Sequence, residues 1–69
     1  MKLSARNVLK GKIVSVTTGA TTSHVRLDIG GGATVTASIT NEAVDELKLA
    51  AGKDAYAVVK ASDVMIGID

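Results

Sequence analysis

Two short segments near opposite ends of the chain carry residue types that bind small anions. Ser4-Ala5-Arg6 and Lys60-Ala61-Ser62 each place a hydroxyl and a cation on either side of an alanine. A tetrahedral dianion has four acceptor oxygens, so its site needs converging donors, namely hydroxyls, backbone N–H groups and one or two fixed cations. Because alanine is small, an anion can approach the backbone closely there. Together the two segments predict one anion-binding site.

Each segment taken alone also has an ordinary structural interpretation. The residues Lys60-Ala61-Ser62-Asp63 are typical of a polar turn. Ser4-Ala5-Arg6-Asn7 fits a solvated arm before the first strand equally well. Their combination in a chain of only 69 residues is what favours the binding hypothesis.

Other kinds of site lack the residues that they require. His24 is the only neutral-pH base, it lies on an outward strand face, and the chain has no cysteine, so we expect no enzyme. Asp28, Asp45 and Glu46 do not have the spacing of a metal-ligand set, so we expect no metal ligated directly by side chains. The three glycines at 30–32 lack the spacing of a phosphate-binding loop and are interpreted as a hairpin turn.

The size of the chain favours one domain that associates with copies of itself. A single domain over residues 1–69 buries only about 60% of the surface that its unfolded form exposes. Disulfides cannot reinforce it because there is no cysteine, yet 46% of the residues are hydrophobic. We therefore expect much of the apolar surface to contact another subunit.

Charge and hydropathy disfavour other partners. The formal net charge is +1 and Tyr56 is the single aromatic residue, so the chain lacks the positive field and the stacking rings of nucleic-acid-binding proteins. No apolar run approaches the roughly 20 residues of a membrane span, and Met1-Lys2 leads into no signal peptide. We expect a cytoplasmic protein that binds neither nucleic acid nor membrane.

Five segments have the composition or the two-residue alternation of strands: residues 9–16, 24–29, 33–39, 53–60 and 64–68. Gly11 predicts a bulge or a close approach in the first strand, and Thr40 predicts the N-cap of a helix of about two turns. The order predicts a mostly β fold, a small OB-like five-stranded Greek-key barrel with one short helix between strands 3 and 4. An open α+β sheet fits the order almost as well.

Several of these segments together resemble the molbindins, single-domain molybdate-binding proteins built from one Mop domain. The resemblance is carried by Ser4-Ala5-Arg6-Asn7, Leu9-Lys10-Gly11-Lys12, Val14-Ser15-Val16, Ile39-Thr40 and Val59-Lys60-Ala61-Ser62-Asp63-Val64-Met65-Ile66. It implies an OB-like barrel in a homohexamer, a trimer of dimers, that holds molybdate or tungstate between subunits. It also implies storage of the oxyanion inside bacterial cells, with no organic cofactor.

The resemblance assigns site residues by position. One side of the oxyanion would meet Ser4, Ala5 and Arg6, and the shell would be completed by Lys60, Ala61, Ser62 and Thr40, some of them from a second subunit. A possible second oxyanion site near the three-fold axis would use the turn at Gly19 and Ala20. The chain departs from the family pattern at Val8, where we expect glutamine, and at Ala43, where a serine hydroxyl is common.

Two other functions fit the predicted architecture. One is an OB-like nucleic-acid-binding module, which would show salt-dependent binding to single-stranded DNA or RNA. The other is a purely structural oligomerisation module, whose thermal stability would not respond to molybdate.

Overall fold

Four antiparallel strands and one short helix form the fold of residues 1–69 in the computed structural model. In chain order these elements are β1 (Asn7–Thr18), β2 (Thr22–Gly30), β3 (Ala33–Thr40), α1 (Asn41–Leu47) and β4 (Asp54–Val59), followed by a 3-10 turn at Ala61–Asp63. The strands lie in one sheet in the order β3-β2-β1-β4. The predicted mostly β class is confirmed, with the helix between the third and fourth strands.

Strand β1 is long enough to pair with two neighbours and to bend between them. It pairs with β4 from Asn7 to Lys12 and with β2 from Lys12 to Thr18. The register shifts between Ile13 and Ser15, which marks a bulge one step beyond the middle of the strand. At Gly11 any side chain would collide with a backbone carbonyl of β2, so the predicted close approach is confirmed and the sheet curls there.

The β2–β3 hairpin and the helix start both follow from local sequence signals. Gly31 and Gly32 have φ values of 62° and 80°, the left-handed region that a tight hairpin turn requires. Thr40 accepts a hydrogen bond at 3.1 Å from the backbone N–H of Ala43, as an N-cap does. Lys48, in left-handed conformation at φ 54°, ends α1. The predicted glycine turn and N-cap are both confirmed.

The core of one chain is small. Four hydrophobic side chains are buried: Ile13, Val25, Leu27 and Val44. The alternation predicted for β2 is confirmed, because Val25 and Leu27 face this core while His24 and Arg26 are exposed. Helix α1 contributes Val44 to one side of the core. None of the helices has the length and apolar character that crossing a membrane requires.

The predicted fifth strand is not formed, and this prediction was wrong for the single chain. Residues 64–68, which we call the apolar tail, have extended or irregular backbone without sheet pairing. Met65, Ile66 and Ile68 are 91%, 88% and 95% exposed. The physical reason is that a strand forms only where its backbone groups pair with a neighbouring strand, and residues 64–68 pair with neither free edge of their own sheet. The sheet is therefore curled but open, with β3 and β4 as free edges.

Candidate functional site

The β1–β4 ladder brings the two anion-binding segments together. Asn7 opposes Val59 as the last pair of this ladder, and its side-chain amide also donates a hydrogen bond to the carbonyl oxygen of Val59 at 3.2 Å. Arg6 directly precedes this pair and Lys60 directly follows it, so antiparallel pairing places the two cations side by side. Sequence reasoning did not assign this role to Asn7, since the partner carbonyl is 52 residues away.

Both segments line a single open cleft. Its eight lining residues include six that the sequence predicted, namely Ser4, Ala5, Arg6, Lys60, Ala61 and Ser62, together with Val58 and Asp63. The 3-10 turn is held by hydrogen bonds that Asp63 N–H donates to the Lys60 carbonyl and Val64 N–H to the Ala61 carbonyl. The N–H groups of Ala61 and Ser62 have no acceptor within the chain, so they are available to a ligand.

The cleft has an excess of unpaired positive charge. The one ion pair within 4 Å in the chain joins Lys12 and Asp54 at 3.3 Å, on the outer face of the sheet. Arg6 and Lys60 therefore have no carboxylate partner, and two neighbouring cations repel each other unless an anion lies between them. This arrangement favours a small dianion.

Asp63 is a cleft residue that sequence reasoning did not include among the candidates. Asp63 lines the same cleft, and its carboxylate forms no ion pair with Arg6 or Lys60. A negative charge here opposes the approach of an anion and lowers its affinity. The sequence feature that could have indicated Asp63 as a cleft residue is its position next to Ser62, in the polar turn of residues 60–63.

The remaining predicted residues lie at the other end of the sheet. Thr40 pairs with Thr22 at the end of β3, on the side of the sheet where β1 ends. The cleft adjoins the start of β1, at the opposite end of that twelve-residue strand. The hydroxyl of Thr40 caps α1. One chain therefore does not bring Thr40 to the cleft, and its predicted contact with the oxyanion requires a second subunit.

The turn at Gly19 and Ala20 lies beside Thr40, not beside the cleft. The side-chain amide of Asn41 donates to the carbonyl of Gly19 at 3.0 Å, and its carboxamide oxygen accepts from the buried hydroxyl of Ser23. Asn41 N–H donates to the Thr21 carbonyl at 3.0 Å. These bonds fix the turn against the start of α1, a role that the sequence did not reveal. The possible second oxyanion site at this turn stays a prediction.

The two departures from the molbindin pattern lie in different places. Val8 opposes Val58 on the outer face of the sheet, beside the cleft, and the next residue pair on that face contains Tyr56. These three side chains, which we call the outer patch, are 40%, 47% and 51% exposed. Ala43 lies in the first turn of α1, at the Thr40 end. Val8 therefore adds to an uncovered apolar surface, while Ala43 leaves one hydroxyl fewer near Thr40.

Comparisons with known proteins establish the family. The family model of the TOBE domain matches residues 3–66. The chain belongs to the TOBE-domain family. It is 49% identical, over the full length of both chains, to a probable molybdenum-pterin-binding protein from Haemophilus influenzae. The resemblance to the molbindins that the sequence motifs indicated is thereby confirmed.

Solved molbindin structures share the fold. MopII from Clostridium pasteurianum, in an apo form, superposes with a TM-score of 0.91 at 45% identity, covering 97% of this chain and 100% of that one. ModG, a cytoplasmic molybdate-binding protein crystallised with molybdate bound, superposes with a TM-score of 0.94 at 45% identity, covering 100% of this chain and 49% of that one. The OB-like character of the predicted fold is confirmed by these neighbours.

Proposed function

We propose that this molbindin binds molybdate, and tungstate as a dianion of the same shape, between subunits of a homohexamer built as a trimer of dimers. The observation that carries the proposal is the cleft in which Arg6 and Lys60, both without a carboxylate partner, meet the hydroxyl-bearing residues Ser4 and Ser62. Two cations and free backbone N–H groups form the donor set that a tetrahedral dianion requires. Ala5 and Ala61 leave room for the anion beside the backbone.

The charge state of the ligand supports molybdate over phosphate. Molybdate is fully ionised at neutral pH, whereas the dianion of phosphate still carries one proton. Arg6, Lys60 and the N–H groups of the 3-10 turn can only donate hydrogen bonds, so a phosphate bound to them leaves its proton unpaired unless that proton is directed at Asp63 or at a serine hydroxyl of the cleft. An unpaired donor in a closed site costs about 1–3 kcal/mol, which favours molybdate.

The open shape of the cleft supports a site between subunits. Every charged or hydroxyl-bearing residue that lines it is exposed in one chain, so water competes for each donor. A second subunit that covers the outer patch would exclude this water and strengthen each charge-assisted bond. The same subunit would have to supply Thr40, which lies far from the cleft of its own chain.

The cleft favours the free oxyanion over a molybdenum-pterin compound. None of the eight lining residues is aromatic, so a pterin ring would find no face on which to stack. We propose a non-enzymatic role in storing molybdenum in the cytoplasm, with no organic cofactor. The turn at Gly19 and Ala20 is the proposed second site, near the three-fold axis.

Isothermal titration with molybdate, tungstate, sulfate and phosphate at one ionic strength tests the proposal. We expect saturable binding of molybdate and tungstate, weaker binding of phosphate, and a higher melting temperature with molybdate, because a ligand of the native state stabilises it. Absence of both a heat of binding and a thermal shift would favour the purely structural module. A salt-dependent complex with single-stranded DNA, without an effect of molybdate, would favour the nucleic-acid-binding module.

A further inference from the structure

Asp63 is the only acidic residue that lines the cleft, where the other charged residues are Arg6 and Lys60. Its side chain is exposed and takes part in no ion pair and no hydrogen bond within the chain. An ionised carboxylate can only accept hydrogen bonds, whereas the two cations can only donate them. The cleft therefore contains one charged acceptor that no donor of the chain uses.

The 3-10 turn places Asp63 on the same side as Lys60. Lys60 is the N-cap of this turn, and the N–H of Asp63 donates a hydrogen bond to the Lys60 carbonyl at 2.9 Å. Because a 3-10 helix has three residues per turn, side chains three residues apart lie one above the other, about 6 Å apart along the axis. Both side chains accordingly line the cleft. An anion bound by Lys60 and Arg6 therefore has the Asp63 carboxylate as a neighbour.

This carboxylate acts differently on two classes of tetrahedral dianion. Molybdate, tungstate and sulfate have only acceptor oxygens, so an ionised carboxylate repels them and forms no bond with them. Hydrogen phosphate and hydrogen arsenate carry the same charge, but one of their oxygens bears a proton that a carboxylate accepts. Such a charge-assisted bond is about twice as strong as the bond to the uncharged hydroxyl of Ser4 or Ser62. Asp63 is therefore the strongest acceptor that the cleft offers to that proton.

We propose that Asp63 is a specificity-determining residue of the cleft, through which the cleft also binds protonated tetrahedral dianions such as hydrogen phosphate. The inference rests on the proposed oxyanion binding and names a second class of ligand for the same site. Arg6 and Lys60 donate to the unprotonated oxygens, and the proton on the remaining oxygen is directed at the Asp63 carboxylate. Asp63 thus weakens molybdate binding and strengthens phosphate binding, so it narrows the preference of the site for molybdate.

Sulfate and hydrogen phosphate are matched probes of this role, because they have the same charge and nearly the same size and differ by one proton. Isothermal titration compares wild type and Asp63→Ala with molybdate, sulfate and phosphate at one ionic strength and a mildly alkaline pH, where phosphate keeps one proton. The variant should bind molybdate and sulfate about 1.5- to 5-fold more tightly, because a repulsive charge is gone. Its phosphate affinity, relative to these unprotonated dianions, should fall about tenfold or more, because a charge-assisted bond is lost.

Glu46→Ala is the matched control for the loss of one negative charge. Glu46 is an exposed carboxylate on α1, outside the cleft, and its removal changes the net charge of the chain equally. We expect this control to keep the wild-type ratio of phosphate affinity to molybdate affinity. The 3-10 turn should persist in Asp63→Ala, because both of its hydrogen bonds join backbone groups.

Two results would overturn the proposed role of Asp63. One is an unchanged ratio of phosphate to molybdate affinity in Asp63→Ala, because a carboxylate that acts only through its charge alters the affinities for two equally charged anions by the same factor. The other is a wild type that binds molybdate but no phosphate. Both results leave the proposed oxyanion binding intact, since that proposal fails only if the wild type does not bind molybdate.

Discussion

Arg6 is the side chain whose removal most directly perturbs the proposed oxyanion site. In the chain it is exposed and has no carboxylate within 4 Å, so Arg6→Ala breaks no ion pair. Surface changes of this kind alter stability by no more than about 0.5 kcal/mol. The same change removes a charge-assisted hydrogen bond to the bound anion, worth about 1.5–3 kcal/mol. Molybdate affinity should therefore fall about 10- to 150-fold while the fold is unchanged.

The assay is isothermal titration of molybdate into the wild type, Arg6→Ala and Lys60→Ala at one ionic strength. Arg26→Ala is the matched control, since Arg26 is an exposed cation on β2, outside the cleft, and its loss changes the net charge equally. We expect the control to bind as the wild type does. Unchanged affinity in both cleft variants, or an equal loss in the Arg26 control, would refute the assignment of the site to these cations.

Three further substitutions test separate parts of the account. Asp63→Asn removes the negative charge from the cleft and should raise molybdate affinity about 1.5- to 5-fold in isothermal titration; a lower affinity would mean that the carboxylate supports the site. Thr40→Ala should lower the free energy of unfolding by about 1 kcal/mol in urea titration because α1 loses its cap, and Thr40→Ser should restore it. Ile13→Ala empties the most buried hydrophobic position, 2% exposed, and should lower the free energy of unfolding by about 2–5 kcal/mol, measured by thermal melting; a loss below that of Thr40→Ala would contradict the assigned core.

Features encoded by neighbouring residues were predictable from the sequence. Alternation fixed which face of β2 is buried, because side chains of a strand point to opposite faces in turn. Glycines 30–32 marked the hairpin, and Thr40 marked the helix start through its hydroxyl. That Arg6 and Lys60 belong to one site was also predicted, because each lies with a hydroxyl and an alanine in a short segment, whereas the pairing of β1 with β4 that brings them together is seen only in the structure.

Features that depend on distant partners were not predictable. Residues 64–68 have the composition of a strand, but a strand also needs a neighbouring strand to pair with. These residues pair with neither β3 nor β4, the two free edges of their own sheet. The role of Asn41 arises because its amide meets the Gly19 carbonyl across 22 residues of sequence. The same holds for Asp63, whose position in the cleft depends on the direction in which the 3-10 turn leaves β4.

Native mass spectrometry of the protein with added molybdate tests the central claim most directly. That claim is that the oxyanion is held between subunits by residues of the cleft, which one chain leaves open. We predict molybdate adducts on the proposed hexamer and none on monomers released from it, with fewer adducts for Arg6→Ala than for Arg26→Ala. Molybdate retained by isolated monomers, or a hexamer that acquires none, would contradict the account.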